Sequence, residues 1–383
     1  MTVLPSTRRG LLLLIAASSL ALLTAAAHAQ PAVSVAGLDS EPRLAMLPGE
    51  EQRPRRPRPQ PKQERPAASW SMALDNDILV PGSRDQDYTY GLSFSYTGAR
   101  AADAWFSLDR PLGWLDRLVG VDDRSPEGID GHSIEFGMQA FTPEEVKIKD
   151  LLPGDRPYAS LVYLSSHREQ IDRARDLAWH TSFTLGALGL PLVGEAQNTV
   201  HRITGSNRAR GWDHQISDGG EPTARYTVAR QKYLTPGRPN LEVKSTLQGS
   251  VGYLTEARWS LSFRAGRLRS PWWRFNPELA RYGEGASYAN PPGGVQEHYV
   301  WGGIGTAARA YNAFLQGQFR DSDLSYDHDE VRHLVGEAWL GYTLAWHNGW
   351  RLSYVLRAQS SELKDGPGDR HLLWGGMVIA HTF

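Results

Sequence analysis

Asp75-Asn76-Asp77 places three oxygen-bearing side chains on consecutive residues, and Asp85, Asp87 and Thr89 follow shortly after. Carboxylate and amide oxygens suit a hard cation such as Ca²⁺. Asn and Asp are equally at home in turns, and no EF-hand spacing is present, so turn chemistry accounts for these residues on its own. A second group lies in Val193–Gly205, which lacks strand alternation and reads as a short helix ending at Gly205. Gln197 and His201 are four apart and share one face of it. An exposed imidazole there could act as a general base, although a plain surface histidine fits the same spacing. A third group is Lys147, Lys149 and Arg156, which could meet phosphate but also suit a solvated loop. No Gly-x-Ser-x-Gly elbow and no His-Glu-x-x-His occurs, and no serine is singled out by its neighbours. A metal-assisted, His-activated water is the better-supported chemistry.

These residues need a scaffold, and the chain around them alternates. From Tyr88 to Thr97 aromatic and apolar residues alternate with Thr, Gly and Ser, giving a strand with one greasy and one small polar face. In this reading Thr89 is on the polar face. Similar segments occupy 69–79, 87–98, 132–142, 157–167, 175–189, 223–233, 240–252, 256–268, 296–317, 332–346, 350–362 and 371–383, with 296–317 taken as one long strand because no turn signal breaks it. Twelve strands, 13 Trp and 15 Tyr in a chain of mean hydropathy −0.44 predict an all-β fold, a twelve-stranded antiparallel transmembrane β-barrel with a short extracellular loop helix. A net charge of −1 gives no case for nucleic acid, and the absence of cysteine excludes disulfides and thiolate metal sites.

The N-terminus supports export. Arg8 and Arg9, the apolar run Leu11–Leu23 and Ala27-His28-Ala29 form a signal peptide over 1–29. Residues 30–67 are rich in Pro and Arg and read as an extended linker, and 68–383 as an outer-membrane barrel ending in Phe383. With the N-terminus in the periplasm, the loops 80–86, 143–156 and 190–222 are extracellular, and all three candidate groups fall at that end. Two connections on the periplasmic side, 99–131 and 269–295, are long. The first contains Leu112–Leu118, an interfacial amphipathic helix candidate, and for both, packing at the membrane surface is the plain account.

Taken together the polar residues resemble the outer-membrane lipid A 3′-O-deacylase family. The resemblance rests on Asp75–Asp77, Arg84–Gly91, Phe141–Pro143 with Gly154–Ala159, Gly194–Ile203 with Gly211–Gln215, and Phe319–Ser322, in family order over 69–383. It implies hydrolysis of the 3′-acyloxyacyl ester of lipopolysaccharide at the extracellular end, between the barrel wall and a loop helix, with Ca²⁺ required. By position, His201 would activate water, Asn76 and Asp77 would hold the cation, Thr89 and Gln197 would line the site, and Lys147 or Lys149 would meet the lipid A phosphates. Lipid A and the outer membrane are the implied partners, and the chain is expected to act as a monomer. Some relatives carry an acid about six positions after the histidine, where Asn207 stands here, so Asp213 is a candidate replacement. A non-enzymatic pore or surface-binding barrel needs only the alternation and the signal peptide. A phospholipase-type barrel using serine and histidine is a third reading.

Overall fold

A computed structural model describes residues 68–80, 87–122, 124–125, 128–129, 131–204, 207–280 and 296–383. The expected signal peptide and linker lie outside the described residues. The strands are β1 (Ser69–Asn76), β2 (Asp87–Thr97), β3 (Gly131–Thr142), β4 (Ala159–Asp172), β5 (Leu177–Leu188), β6 (Glu221–Tyr233), β7 (Leu241–Gly252), β8 (Leu254–Arg267), β9 (Glu297–Asn312), β10 (Leu334–Ala345), β11 (Trp350–Gln359) and β12 (Leu372–Thr382). Each pairs antiparallel with its neighbours, and β12 returns to β1 to close the barrel. Closure leaves no strand edge unpaired, which is what a spanning sheet requires in lipid. The ends meet at one rim, where the Phe383 N–H donates to the Ala68 carbonyl at 2.8 Å. No described helix is long and apolar enough to cross a membrane.

Period-two alternation sorts the side chains. Leu74, Phe94, Phe136, Leu185, Trp259, Ile304, Leu340 and Met377 face outward and are exposed. The inward positions hold buried ion pairs: Arg258 with Glu337 at 2.6 Å, Lys244 with Glu278 at 2.9 Å, Arg351 with Glu297 at 3.3 Å, and Arg264 with Glu242. The long strand expected over 296–317 stops at Asn312, whose side chain caps the Phe314 N–H at 3.1 Å and opens a single helical turn, Ala313–Gln316.

The two long connections take different courses, and only the one after β8 departs from a surface account. The chain after β8 turns into the barrel through 3-10 turns at Trp272–Arg274 and Pro277–Leu279. A loop buried this way exposes backbone carbonyls that need donors. The lumen supplies them: Lys244 to the Phe275 carbonyl at 2.5 Å, Arg357 to Pro277 at 2.7 Å and Arg258 to Glu278 at 2.6 Å. The 99–131 connection forms α1 (Arg100–Asp103) and α2 (Asp109–Val119), and α2 is held against the outside of β4, β5 and β6. At the rim opposite the termini, Phe141, Leu161, Leu188, Tyr253, Phe314 and Trp374 pack into an apolar cluster. Beside it Arg156, Glu362, Arg309 and Glu256 form a continuous buried ion network. The lumen is thus crossed by protein at both rims, which gives no support to a pore.

Candidate active site

Between β5 and β6, at the rim opposite the termini, the chain forms α3 (Pro191–Thr204). Pro191 suits a first helical position, where its missing N–H costs nothing. The expected end at Gly205 lies outside the described residues. Val193, Gln197 and His201 recur every four residues and are all buried, at 0%, 2% and 4% exposure. His201 is therefore not the exposed histidine that its place in a loop suggests. Val193 packs with Ala140, Tyr158, Ala209 and Trp212, against Tyr90 and Val162. Tyr90, Ala140 and Val162 occupy outward positions on β2, β3 and β4. The helix therefore lies on the outside of the wall, and the Tyr90 hydroxyl ties it there by donating to the Val193 carbonyl at 2.8 Å.

The segment after α3 folds back and orients its polar side chains. Asn198 exchanges two hydrogen bonds with the Ala209 backbone, at 2.9 and 3.0 Å. The Trp212 indole N–H donates to Gln197 Oε1 at 2.7 Å. That bond fixes the amide orientation, and Gln197 Nε2 is buried with no partner among the described residues. Gly194 makes this approach feasible, since a Cβ there would sit 2.6 Å from the Trp212 ring. His201 Nδ1 meets the backbone carbonyl of Asn207. A carbonyl can only accept, so Nδ1 carries the proton in the neutral ring and Nε2 is the basic nitrogen.

The Asp75–Asp77 stretch divides between the two faces of the wall. Asp75 pairs with Gly376 and Gly91 and points inward; a Cβ on Gly376 would lie 2.3 Å from Asp75 Oδ1. Asn76, one step on, takes an outward position beside Tyr90, the residue bonded to α3. Asp77 is buried and starts a 3-10 turn, Asp77–Leu79. Gly375 gives that turn room on the outer wall, because a Cβ there would be 2.6 Å from the Leu79 Cβ. The Tyr354 hydroxyl donates to the Leu79 carbonyl at 2.6 Å.

Other expected residues fare differently. In β2 the pairing with β3 shifts register between Tyr88 and Tyr90, so the strict alternation that put Thr89 on the polar face breaks at that residue. The Thr89 side chain lies outside the described residues, as does Asp85. Lys147 and Lys149 are exposed and follow the buried Val146, whose carbonyl accepts from the Arg210 N–H at 2.9 Å. They stand at the edge of the folded-back segment. Arg156 is buried, paired with Glu362 and stacked 4.3 Å from the Phe141 ring centroid, so it is not available to a phosphate outside the barrel. Asp213 is exposed, and Asn207 contributes through its backbone. Sequence reasoning assigned no part to Tyr90 or Trp212; Gly194 and Gly211, which leave room for Trp212 and Tyr158, are the signal that could have drawn attention to them.

Asn76 and Asp77 offer only oxygen donors, the kind calcium takes. Among the described residues no group of three or more His, Cys, Asp or Glu could hold a metal. These two residues therefore fit calcium in kind, with backbone, water or substrate oxygens needed to fill the shell.

The sequence from 14 to 383 matches the family described as outer membrane protein LpxR. Among solved structures, LpxR from Salmonella typhimurium is similar over 82% of this chain and 100% of that one, with a TM-score of 0.63 and 17% identity, a likeness of fold. The β domain of the Bordetella autotransporter BrkA covers 84% of this chain and 100% of its own, with a TM-score of 0.40 and 8% identity. A search of curated protein sequences gives no match.

Proposed function

Because the chain belongs to the LpxR outer membrane protein family, we propose that it is a lipid A 3′-O-deacylase, with its site on the outer face of the wall at the extracellular end. The observation that carries the reading is His201: buried against the wall on α3, with Nδ1 turned to the Asn207 carbonyl and Nε2 left as the base. In a bilayer, an ester of lipid A reaches this face from the side, without entering the lumen.

Water attacks the 3′-ester carbonyl as Nε2 of His201 takes its proton. The bond between the acyl carbon and the 3′-oxygen then breaks, and the proton passes from His201 to that departing oxygen, leaving the free acyloxyacyl acid and the sugar 3′-hydroxyl. Gln197, held by Trp212, presents Nε2–H as a donor toward the reacting group. Asn76 and Asp77 would hold Ca²⁺, which supplies a positive charge for the oxyanion when bound. Lys147 and Lys149 meet the lipid A phosphates as mobile charges.

Mass spectrometry of lipid A from cells carrying the wild type or His201→Ala tests this. Wild type removes one acyloxyacyl unit. General base catalysis is worth roughly 10²–10⁴-fold, so the variant loses about that much while the barrel still folds. Full activity in His201→Ala rejects the base. Unchanged lipid A with wild type, or altered phospholipid in its place, rejects the substrate.

A further inference from the structure

The outer wall at the rim carrying the termini has an anomaly. Outward positions of β3 and β4 hold His132, Arg168 and Gln170, where lipid would meet unpaired polar groups. α2 covers them. Asp109 takes both Arg168 Nε at 2.8 Å and NH2 at 2.6 Å, and His132 Nδ1 at 2.8 Å. Asp116, fully buried, accepts from the Tyr226 hydroxyl at 2.9 Å and from Thr181 at 3.1 Å. Leu112 packs on Trp179, Tyr226 and Val228, and Gly113 leaves room for the Arg168 guanidinium, 2.4 Å from where a Cβ would stand. The buried face of α2 is thus Asp109, Leu112, Gly113 and Asp116.

The opposite face is Arg110, Trp114, Arg117 and Leu118, all exposed, with Trp114 at 57% and Leu118 at 68%. The turn before the helix adds Trp105, 94% exposed, in edge contact with Phe106 at 5.3 Å. Because the helix is fixed to a wall that faces lipid, this second face points into the same medium. It stands at the rim where Trp70, Trp350 and Trp346 also face outward. Indoles beside arginines match a glycerophospholipid at the interface: acyl carbon below, phosphate above.

We propose that α2 and the turn before it form a phospholipid-binding foot on the leaflet at this rim, with Trp105, Phe106, Trp114 and Leu118 against acyl carbon and Arg110 and Arg117 on the lipid phosphate. The proposal rests on the barrel lying in a membrane and not on the reaction it carries out.

The full chain is reconstituted in phosphatidylglycerol vesicles whose acyl chains carry bromine near the ester, and its emission is compared with that of Trp105→Phe/Trp114→Phe. The difference reports the two indoles alone. Quenching of that difference by the brominated lipid, with protection from aqueous acrylamide, is expected. Acrylamide quenching without bromine quenching overturns the foot. In a second arm, native mass spectrometry counts phosphatidylglycerol retained by wild type and by Arg110→Gln/Arg117→Gln. Loss of retained lipid in the variant is expected, and equal retention overturns the phosphate contact. Both substitutions are on exposed side chains, and neither readout depends on deacylase activity.

Discussion

At the scale of single residues, the proposed site rests on side chains oriented by a backbone carbonyl and by one indole. Trp212→Phe keeps the ring that packs on Tyr158 but removes the N–H that holds Gln197. A single hydrogen bond is worth about 0.5–1.5 kcal/mol, so turnover should fall roughly 2- to 10-fold. In a Gln197→Ala background the same change should have no further effect; additive losses in steady-state kinetics would mean that Trp212 acts by another route. The oxygen donors of Asn76 and Asp77 carry their own expectation. EDTA should abolish activity and added calcium should restore it in wild type, but not in Asp77→Ala. Activity that persists unchanged in EDTA removes the cation from the reading.

At the scale of elements, each helix is held to the wall by a different chemistry. α3 is tied by apolar packing and the Tyr90 hydroxyl. α2 is tied by two carboxylates whose acidities move in opposite directions. Burial raises Asp109, but the hydrogen bonds from Arg168 and His132 outweigh it and hold the carboxyl well below its usual range. Asp116 is raised, by burial above all, against the pull of Tyr226 and Arg168. A lowered folded-state pKa contributes stability above the unfolded carboxylate range and loses it only as pH falls through the folded value. A raised one contributes below the unfolded value and loses it as pH rises. Between pH 7 and about 4, then, Asp109 stays ionised while Asp116 grows less costly, so α2 should not detach. Tryptophan emission of the folded barrel followed over that range should show no release. A cooperative change near pH 5 would contradict the clamp.

Across the whole molecule, the barrel is stiffened by charges buried in its lumen. Glu362 lies between Arg156 and Arg309, and Asn312 also donates to it at 3.2 Å. Glu362→Ala leaves two buried guanidiniums without this partner, and breaking a buried pair from one side costs about 3–5 kcal/mol. Denaturant unfolding in detergent should register a loss of that size. Glu362→Gln, which keeps the shape and one acceptor, should lose less. Phe314 and its neighbours pack at one rim and Phe275–Glu278 enters from the other, so side chains and a loop occupy the lumen from both ends, in keeping with the proposed site on the outside of the wall.

What the sequence by itself determined was everything carried by a local period. Alternation marked all twelve strands to within a few residues, the break in alternation marked α3, and spacing four apart put Gln197 and His201 on one face. Only the tertiary structure decided what depends on register and on partners far along the chain. The split of Asp75 from Asn76 across the wall follows from the pairing of β1 with β12 and β2. The register shift at Thr89 is a property of two strands, not of one. The contact of His201 with a backbone carbonyl leaves no trace in the side chain at 207, so a search for an acid there could not have found it. The inward course of 269–280 was hidden because its donors, Lys244, Arg258 and Arg357, lie on three separate strands. A period is written in neighbouring residues, whereas a hydrogen bond between distant segments exists only once the barrel has closed.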